Sequence, residues 1–325
     1  MKGIIEMLES LNKLLTRLMP IMTPCSVIIG IIFTESLHSF VFLVPWLFAF
    51  MTFSGSLGSK FGDLKSVIRY PRPLFISLII LHLIMPIVAY CVGNIAFRND
   101  PYTVTGLVLA FLIPTGVSSL IWVTIYKGNI ILTLAIILID SLLSPLVVPA
   151  VLHILFGTTI HINGSEIMEG LFWMIVLPSI LGIILNETTK GKIEGMLKPK
   201  LDPFSKIFLG LVVALNGSAV APYFKEINGK LLFMILIVFI LACSGYIISW
   251  FISKLFKEES SIQVALIFNG GMRNISAGAV IAITYFPAPV AVPVIIGMLF
   301  QQILASLTGS IISKYYHEPS KELSA

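Results

Sequence analysis

Ten stretches of the chain are nearly continuous runs of apolar side chains, at about 20–36, 39–57, 73–96, 104–126, 129–156, 166–186, 205–222, 231–253, 262–285 and 287–313. Each is near the length a helix needs to cross the hydrocarbon of a bilayer, although prolines shorten or bend several of them. The pattern predicts an all-α, polytopic membrane protein of ten transmembrane helices in two groups of five. Before the first run, Ile4, Ile5, Leu8, Leu11, Leu15 and Leu18 recur at helical spacing, so residues 1–19 read as an amphipathic lead-in at the interface. The expected units are this lead-in, a first five-helix repeat over 20–156, a second over 157–313, and a cytoplasmic tail over 314–325.

The charges between the runs test this division. Lys60, Lys65, Arg69 and Arg72, then Lys127, then Lys190, Lys192, Lys198, Lys200 and Lys206, then Lys254 and Lys257 fall on alternate connections. They share a side with Lys2, Lys13, Arg17, Lys314 and Lys321, whereas the opposite side has only Arg98, Lys225 and Lys230. The positive-inside rule then places both termini in the cytoplasm, which requires an even number of spans. Five spans per half means that the second half enters the membrane from the opposite side, so the repeats are inverted. Ser144-Pro-Leu-Val-Val-Pro149 and Ala288-Pro-Val-Ala-Val-Pro293 carry a weak internal likeness, offset in register.

Composition narrows the function. The chain of 325 residues is 57% hydrophobic and 11% charged, which leaves no room for a soluble catalytic domain. It has no Walker A sequence. The net charge of +5 follows from the cytoplasmic connections and calls for no nucleic-acid partner. Cys25, Cys91 and Cys243 lie in separate runs without CxxC spacing, and read as small core residues rather than metal ligands or a disulfide. The basic, then apolar, beginning imitates a signal peptide but is expected to stay as an uncleaved start. Short loops and few charges fit a bacterial inner membrane.

Two of the runs cannot be ordinary membrane helices. Ile267-Phe-Asn-Gly-Gly-Met-Arg-Asn274 sets two adjacent glycines and a guanidinium inside an apolar span, and Ile113-Pro-Thr-Gly-Val-Ser-Ser119 breaks another in the first half. Irregular backbone at membrane depth survives only when it is enclosed by protein or lines a cavity, and paired interruptions in matching halves point to a transporter's binding site. The ionisable residues placed deepest are His82, Asp140 and Arg273. Arg273 reads either as a fixed cation for an anionic substrate or as a structural charge neutralised by Asp140, with its donors on carbonyls that the broken helix releases. Asp140 is a proton or cation site, or the static partner of Arg273. His82 relays protons, or is a hydrogen-bonded packing residue. Thr115, Ser118, Ser119 and Thr124 offer hydroxyls beside the first break, though such residues also serve helix packing. Asn216, Ser218, Gln301 and Gln302 are further candidates to line a cavity.

These residues resemble the bile acid:sodium symporter family over essentially the whole chain. The likeness is strongest in Pro114-Thr-Gly-Val-Ser-Ser119 through Tyr126-Lys-Gly-Asn129, in Ser144-Pro145 with Pro149, and in Gly271-Met-Arg-Asn274 running into Ala288-Pro-Val-Ala-Val-Pro293. The resemblance implies a panel and a core domain, helices 4 and 9 broken and crossing, and organic-anion transport by alternating access. The departures fall on the family's sodium sites. One uses a Ser-Asn pair, hydroxyls on helix 5 and a Glu on helix 9; its positions here look like Ser119 and Leu120, Thr133 and Ile137, and Asn269. The other uses a Gln on helix 3 with the Glu and a Gln of helix 9; its positions look like His82, Asn269 and Arg273. Leucine and isoleucine give a hard cation no oxygen, and an arginine repels it.

The expected function is therefore a secondary transporter of organic anions, bile acids or smaller carboxylates, that is not sodium-coupled and in which Arg273 replaces a sodium ion. The expected substrate residues are Thr115, Ser118, Ser119, Asn269, Arg273 and Asn274, with coupling, including to protons, through His82, Thr133, Asp140 and Arg273. No cofactor and no metal is expected. Three alternatives stay open: a cation/proton antiporter working through Asp140, a sodium-coupled symporter with a rearranged site, and a non-transporting receptor. An intramembrane enzyme is disfavoured, because the neighbouring His153 and His161 have no acidic partner at helical spacing.

Overall fold

A computed structural model describes residues 2–60, 62, 70–160, 162–225 and 228–317. Lys65, Arg69 and His161 lie outside them, as does the expected tail beyond His317. All regular elements among the described residues are helical. The longer ones, in chain order, are α1 (Lys2–Ile32), α2 (Thr34–Ser56), α3 (Pro71–Ala96), α4 (Pro101–Leu112), α5 (Ser119–Ile125) and α6 (Ile130–Phe156). There follow α7 (Gly164–Thr188), α8 (Lys198–Lys225), α9 (Gly229–Leu255), α10 (Ser260–Gly271), α11 (Ile275–Tyr285) and α12 (Ala291–His317).

Seven of these helices are long and apolar enough to cross a membrane, eight if the bent α1 counts as one span. The bend is 79° between Ser10–Thr16 and Ile21–Ile32. The two interrupted runs form pairs of shorter helices, α4 with α5 and α10 with α11. Prolines shape two further helices without ending them. In α3 the residues Ile80–Ile84 widen to a π-turn just before Pro86, and in α7 Phe172–Val176 do the same before Pro178. The wider turn accommodates the proline ring and the lost donor.

The helices pack in two groups. One joins α1, α2, α7 and α8; α1 runs along α8 with backbones touching, because a Cβ on Gly30 would overlap the Ala214 carbonyl oxygen. The other joins α3, α4, α6 and α9 to α12, with α9 against α10 and α4 against α3. α8 also packs on α11 and α12, so the second broken segment lies where the groups meet. Buried side chains concentrate in α4, α10 and α11, whose interiors are covered on nearly every side. The expectation that all three cysteines are core residues fails. Cys25 and Cys91 are exposed on the surface and Cys243 is half-buried, since an apolar helix in lipid can turn a small residue outward as cheaply as inward.

Candidate functional site

Local chemistry ends each broken helix. Pro114 has no N–H and holds Ile113 extended, at φ −57° and ψ 151°, so α4 stops at Leu112. α10 stops at Gly270-Gly271, after which Met272 is extended at φ −106° and ψ 124°. α11 restarts at Asn274, whose side-chain oxygen accepts from the Ala277 N–H at 3.4 Å. The glycine at 271 answers to packing: a Cβ there would penetrate the ring of Tyr246 on α9.

The two breaks are stitched to each other. Thr115 and Arg273 form an antiparallel bridge; the Gly116 N–H donates to the Met272 carbonyl at 3.2 Å and the Asn274 N–H to the Pro114 carbonyl at 2.8 Å. The Thr115 hydroxyl lies 2.9 Å from the Asn269 carbonyl and 3.0 Å from that of Met272. The carbonyls released at the end of α10 are therefore satisfied by Thr115 and Gly116. Arg273 plays no part in that, contrary to the structural role expected for its donors.

Asp140, in the middle of α6 and fully buried, anchors this junction. Its Oδ2 accepts the Thr115 N–H at 2.6 Å, and its Oδ1 lies 2.6 Å from Nε2 of His82 in the π-turn of α3. The imidazole approaches off the hydrogen-bond line, so this is a close polar contact whose strength depends on the ring's charge. The expected direct pairing of Asp140 with Arg273 is corrected: both carboxylate oxygens are taken up by α3 and by the first break.

Arg273 is 2% exposed, and its Nε, Nη1 and Nη2 have no hydrogen-bond partner among the described residues. Asp140 is the carboxylate that acts on it through space, without a salt bridge between the two. The Tyr246 hydroxyl is also buried without a partner. Sequence reasoning missed Tyr246, a tyrosine in an apolar span, and the only hint of it was the small residue it packs against at 271.

The other expected residues separate into two kinds. Asn269 is a hub: its amide nitrogen donates to Thr133 Oγ1 at 3.1 Å and to the Ala265 carbonyl at 2.7 Å, and its oxygen accepts from Ser119 Oγ at 3.0 Å. All three side chains are fully buried. Ser118 is half-buried just before α5 and caps nothing, Thr124 bonds back to the Leu120 carbonyl, and Ser218 to that of Leu215. Gln302 accepts from the Trp122 indole at 3.2 Å, while Asn216 and the Gln301 oxygen are buried without partners. His153 is exposed, and no cluster of three metal-ligating side chains occurs among the described residues.

Comparison with known proteins bears on this junction. The family model described as the sodium bile acid symporter family matches residues 44–227. A protein of Bacillus subtilis (strain 168) named YbaS is 47% identical over 301 residues, covering 93% of this chain and 98% of its own. A second protein of that organism, named as the sodium-dependent transporter YocS, is 24% identical over 306 residues, with 91% of each chain covered. A chloroplast protein of Arabidopsis thaliana, named as a probable sodium/metabolite cotransporter, is 23% identical over 77% of this chain and 61% of its own. The helices are those of an integral, multi-pass membrane protein, and the chain belongs to the sodium bile acid symporter family, a family of transporters rather than enzymes.

Proposed function

We propose that the protein is a secondary transporter of small organic anions that works by alternating access without sodium coupling. On this reading the segments α4–α5 and α10–α11 are two broken spans that cross at Thr115 and Arg273, which completes ten spans in two inverted repeats of five. The observation that carries it is the Arg273 guanidinium, buried at the crossing with all its nitrogens unpartnered. A carboxylate is the ligand whose geometry matches that fork, and the N-terminus of α11 beside it adds a favourable dipole.

The polar residues left at the other cation position support the same reading. Ser119, Asn269 and Thr133 satisfy one another through the Asn269 amide, which uses the oxygens a sodium ion would need. Leu120 and Ile137 add none. The fixed charge of Arg273 takes the place of the second ion, and His82 with Asp140 is the pair able to carry a proton. A bacterial plasma membrane with both termini cytoplasmic is the expected setting, and the substrate and lipid are the expected partners.

Proteoliposome uptake of a bile acid and of short carboxylates, with a sodium gradient, a proton gradient or neither, tests this. Uptake that ignores sodium, or follows protons, is expected. Uptake that requires sodium overturns the assignment of Arg273 and favours a second reading, a sodium symporter with a rearranged site, to which the name of the sodium-dependent relative points.

A further inference from the structure

Asn216 lies in the middle of α8, fully buried, and neither its amide nitrogen nor its amide oxygen has a partner among the described residues. A primary amide offers two donors and two acceptor sites, and proteins leave so few such groups dry that each one needs a reason. Its direction can be read from its neighbours. α1 meets α8 at Ala214, Gly217 and Ser218: a Cβ on Gly30 would lie 3.0 Å from the Ser218 nitrogen, and one on Gly217 2.9 Å from the Val27 carbonyl oxygen. At about 100° per residue, Asn216 points roughly 145° away from that seam. Phe208, whose ring lies 5.0 Å from that of Phe50, marks the face given to α2. The remaining buried stripe of α8 is Val212, Asn216 and Val220, and the further helices α8 packs against are α11 and α12.

Asn216 therefore lies on the side of α8 turned away from α1, where α2, α11 and α12 pack, and α11 starts at Asn274 directly after Arg273. Ser54 of α2 is fully buried with an unpartnered hydroxyl too, and α2 also packs on α11. A buried amide without a partner calls for a ligand or a water to pair it, and a helix that packs on both groups is placed to meet one.

We propose that Asn216 is a specificity-determining residue of the transport site: it reads a hydroxyl or carbonyl group that the organic acid carries in addition to its carboxylate. The proposal rests on the reading that Arg273 receives the carboxylate. The two contacts come from opposite helix groups, so an acid that makes both links the bodies whose relative movement is the transport cycle. An acid of the same skeleton without the second group leaves the amide unpaired, and is discriminated against by the worth of that bond.

The test is uptake into proteoliposomes of isovalerate against 2-hydroxy- and 3-hydroxyisovalerate, with Asn216→Leu and Asn216→Ser measured beside the unaltered protein for uptake and for melting temperature. The unaltered protein is expected to favour one hydroxy acid by about tenfold in kcat/KM, the size of one hydrogen bond. Asn216→Leu is expected to bring the ratio near one, and Asn216→Ser, which keeps a donor and an acceptor, to restore part of it. An unaltered ratio in both variants overturns the role of Asn216 and leaves that of Arg273 standing, above all if Asn216→Leu merely raises the melting temperature. Failure of the unaltered protein to take up any of the three acids overturns this inference, and the carboxylate reading falls as well if the bile acid and the other short carboxylates are also refused.

Discussion

Replacing Asp140 by asparagine separates the shape of this side chain from its charge. The amide oxygen can still take the Thr115 N–H, now held at 2.6 Å, and the amide nitrogen can face His82 Nε2, at 2.6 Å from the present Oδ1. What disappears is the charge. Exchanging a charge-assisted bond for a neutral one costs about 1 kcal/mol. The larger part concerns Arg273, which senses Asp140 but does not touch it. Breaking a directly paired buried ion pair costs about 3–5 kcal/mol, so separated charges should lose about 1–2 kcal/mol. Together these give about 2–3 kcal/mol, a fall in melting temperature of about 5 °C for a chain of this size. The matching assay is uptake across a pH gradient, where Asp140→Asn is expected to abolish the proton-driven component and keep passive exchange. A variant that melts with the unaltered protein and still follows the proton gradient refutes both the energetics and the role of Asp140.

Arg273→Gln should abolish carboxylate uptake without lowering the melting temperature, because it removes an unpartnered buried charge that costs the fold several kcal/mol to desolvate; undiminished uptake sinks the fixed-cation idea. Gly271→Ala drives a methyl group into the Tyr246 ring and should cost about 1–3 kcal/mol, seen as a lower melting temperature or as failure to accumulate in the membrane. Outside the membrane, burial pushes the Asp100 carboxyl up, but hydrogen bonds from Lys230 and Thr103 hold it below its ordinary value. Its contribution is thus present above about pH 4 and fades as pH falls through the lowered value. Asp100→Asn keeps the oxygen that caps α4, loses the pair with Lys230, worth up to about 0.5 kcal/mol, and turns the Thr103 hydroxyl from donor to acceptor, whereas Asp100→Ala loses about 1 kcal/mol more. A gap between Asp100→Asn and the unaltered protein that fails to narrow in acid contradicts this.

The breaks themselves were legible from the sequence, since Pro114 and Gly270-Gly271 interrupt apolar runs for reasons local to each residue. The class of fold was legible for the same kind of reason, from span length alone. The partners of Asp140 were not. Sequence offers Arg273 as the one partner of opposite charge for Asp140, but the π-turn at Ile80–Ile84 inserts an extra residue into α3 and rotates His82 relative to a regular helix. No hydrophobic period records that rotation. Cys25 and Cys91 failed through a related blindness: spans that are apolar on every side carry no pattern to say which face meets lipid. Tyr246 and Asn216 became candidates only once burial and hydrogen bonding were known, because a phenol or an amide in an apolar run looks like any other polar residue placed for packing.

A guanidinium differs from a sodium ion in one respect that decides the energetics. It cannot leave. A bound ion brings driving force because it travels down its own gradient, whereas a charge attached to α10–α11 returns with the protein and does no net work in a cycle. On the proposed reading Arg273 thus supplies affinity for a carboxylate and none of the energy for concentrating it. Concentration needs a second mobile species, and at this junction the groups able to bind one are His82 and Asp140. The carboxylate oxygen that holds the Thr115 N–H belongs to the same group that meets the imidazole, and Thr115 is bridged to Arg273. A proton arriving at this pair weakens the tie on the first break, and a carboxylate arriving at Arg273 alters the charge that Asp140 faces. Linkage requires the two effects to be equal: if protons tighten substrate binding tenfold, substrate tightens proton binding tenfold, and net proton uptake when substrate is added to the solubilised protein is the equilibrium signature to seek.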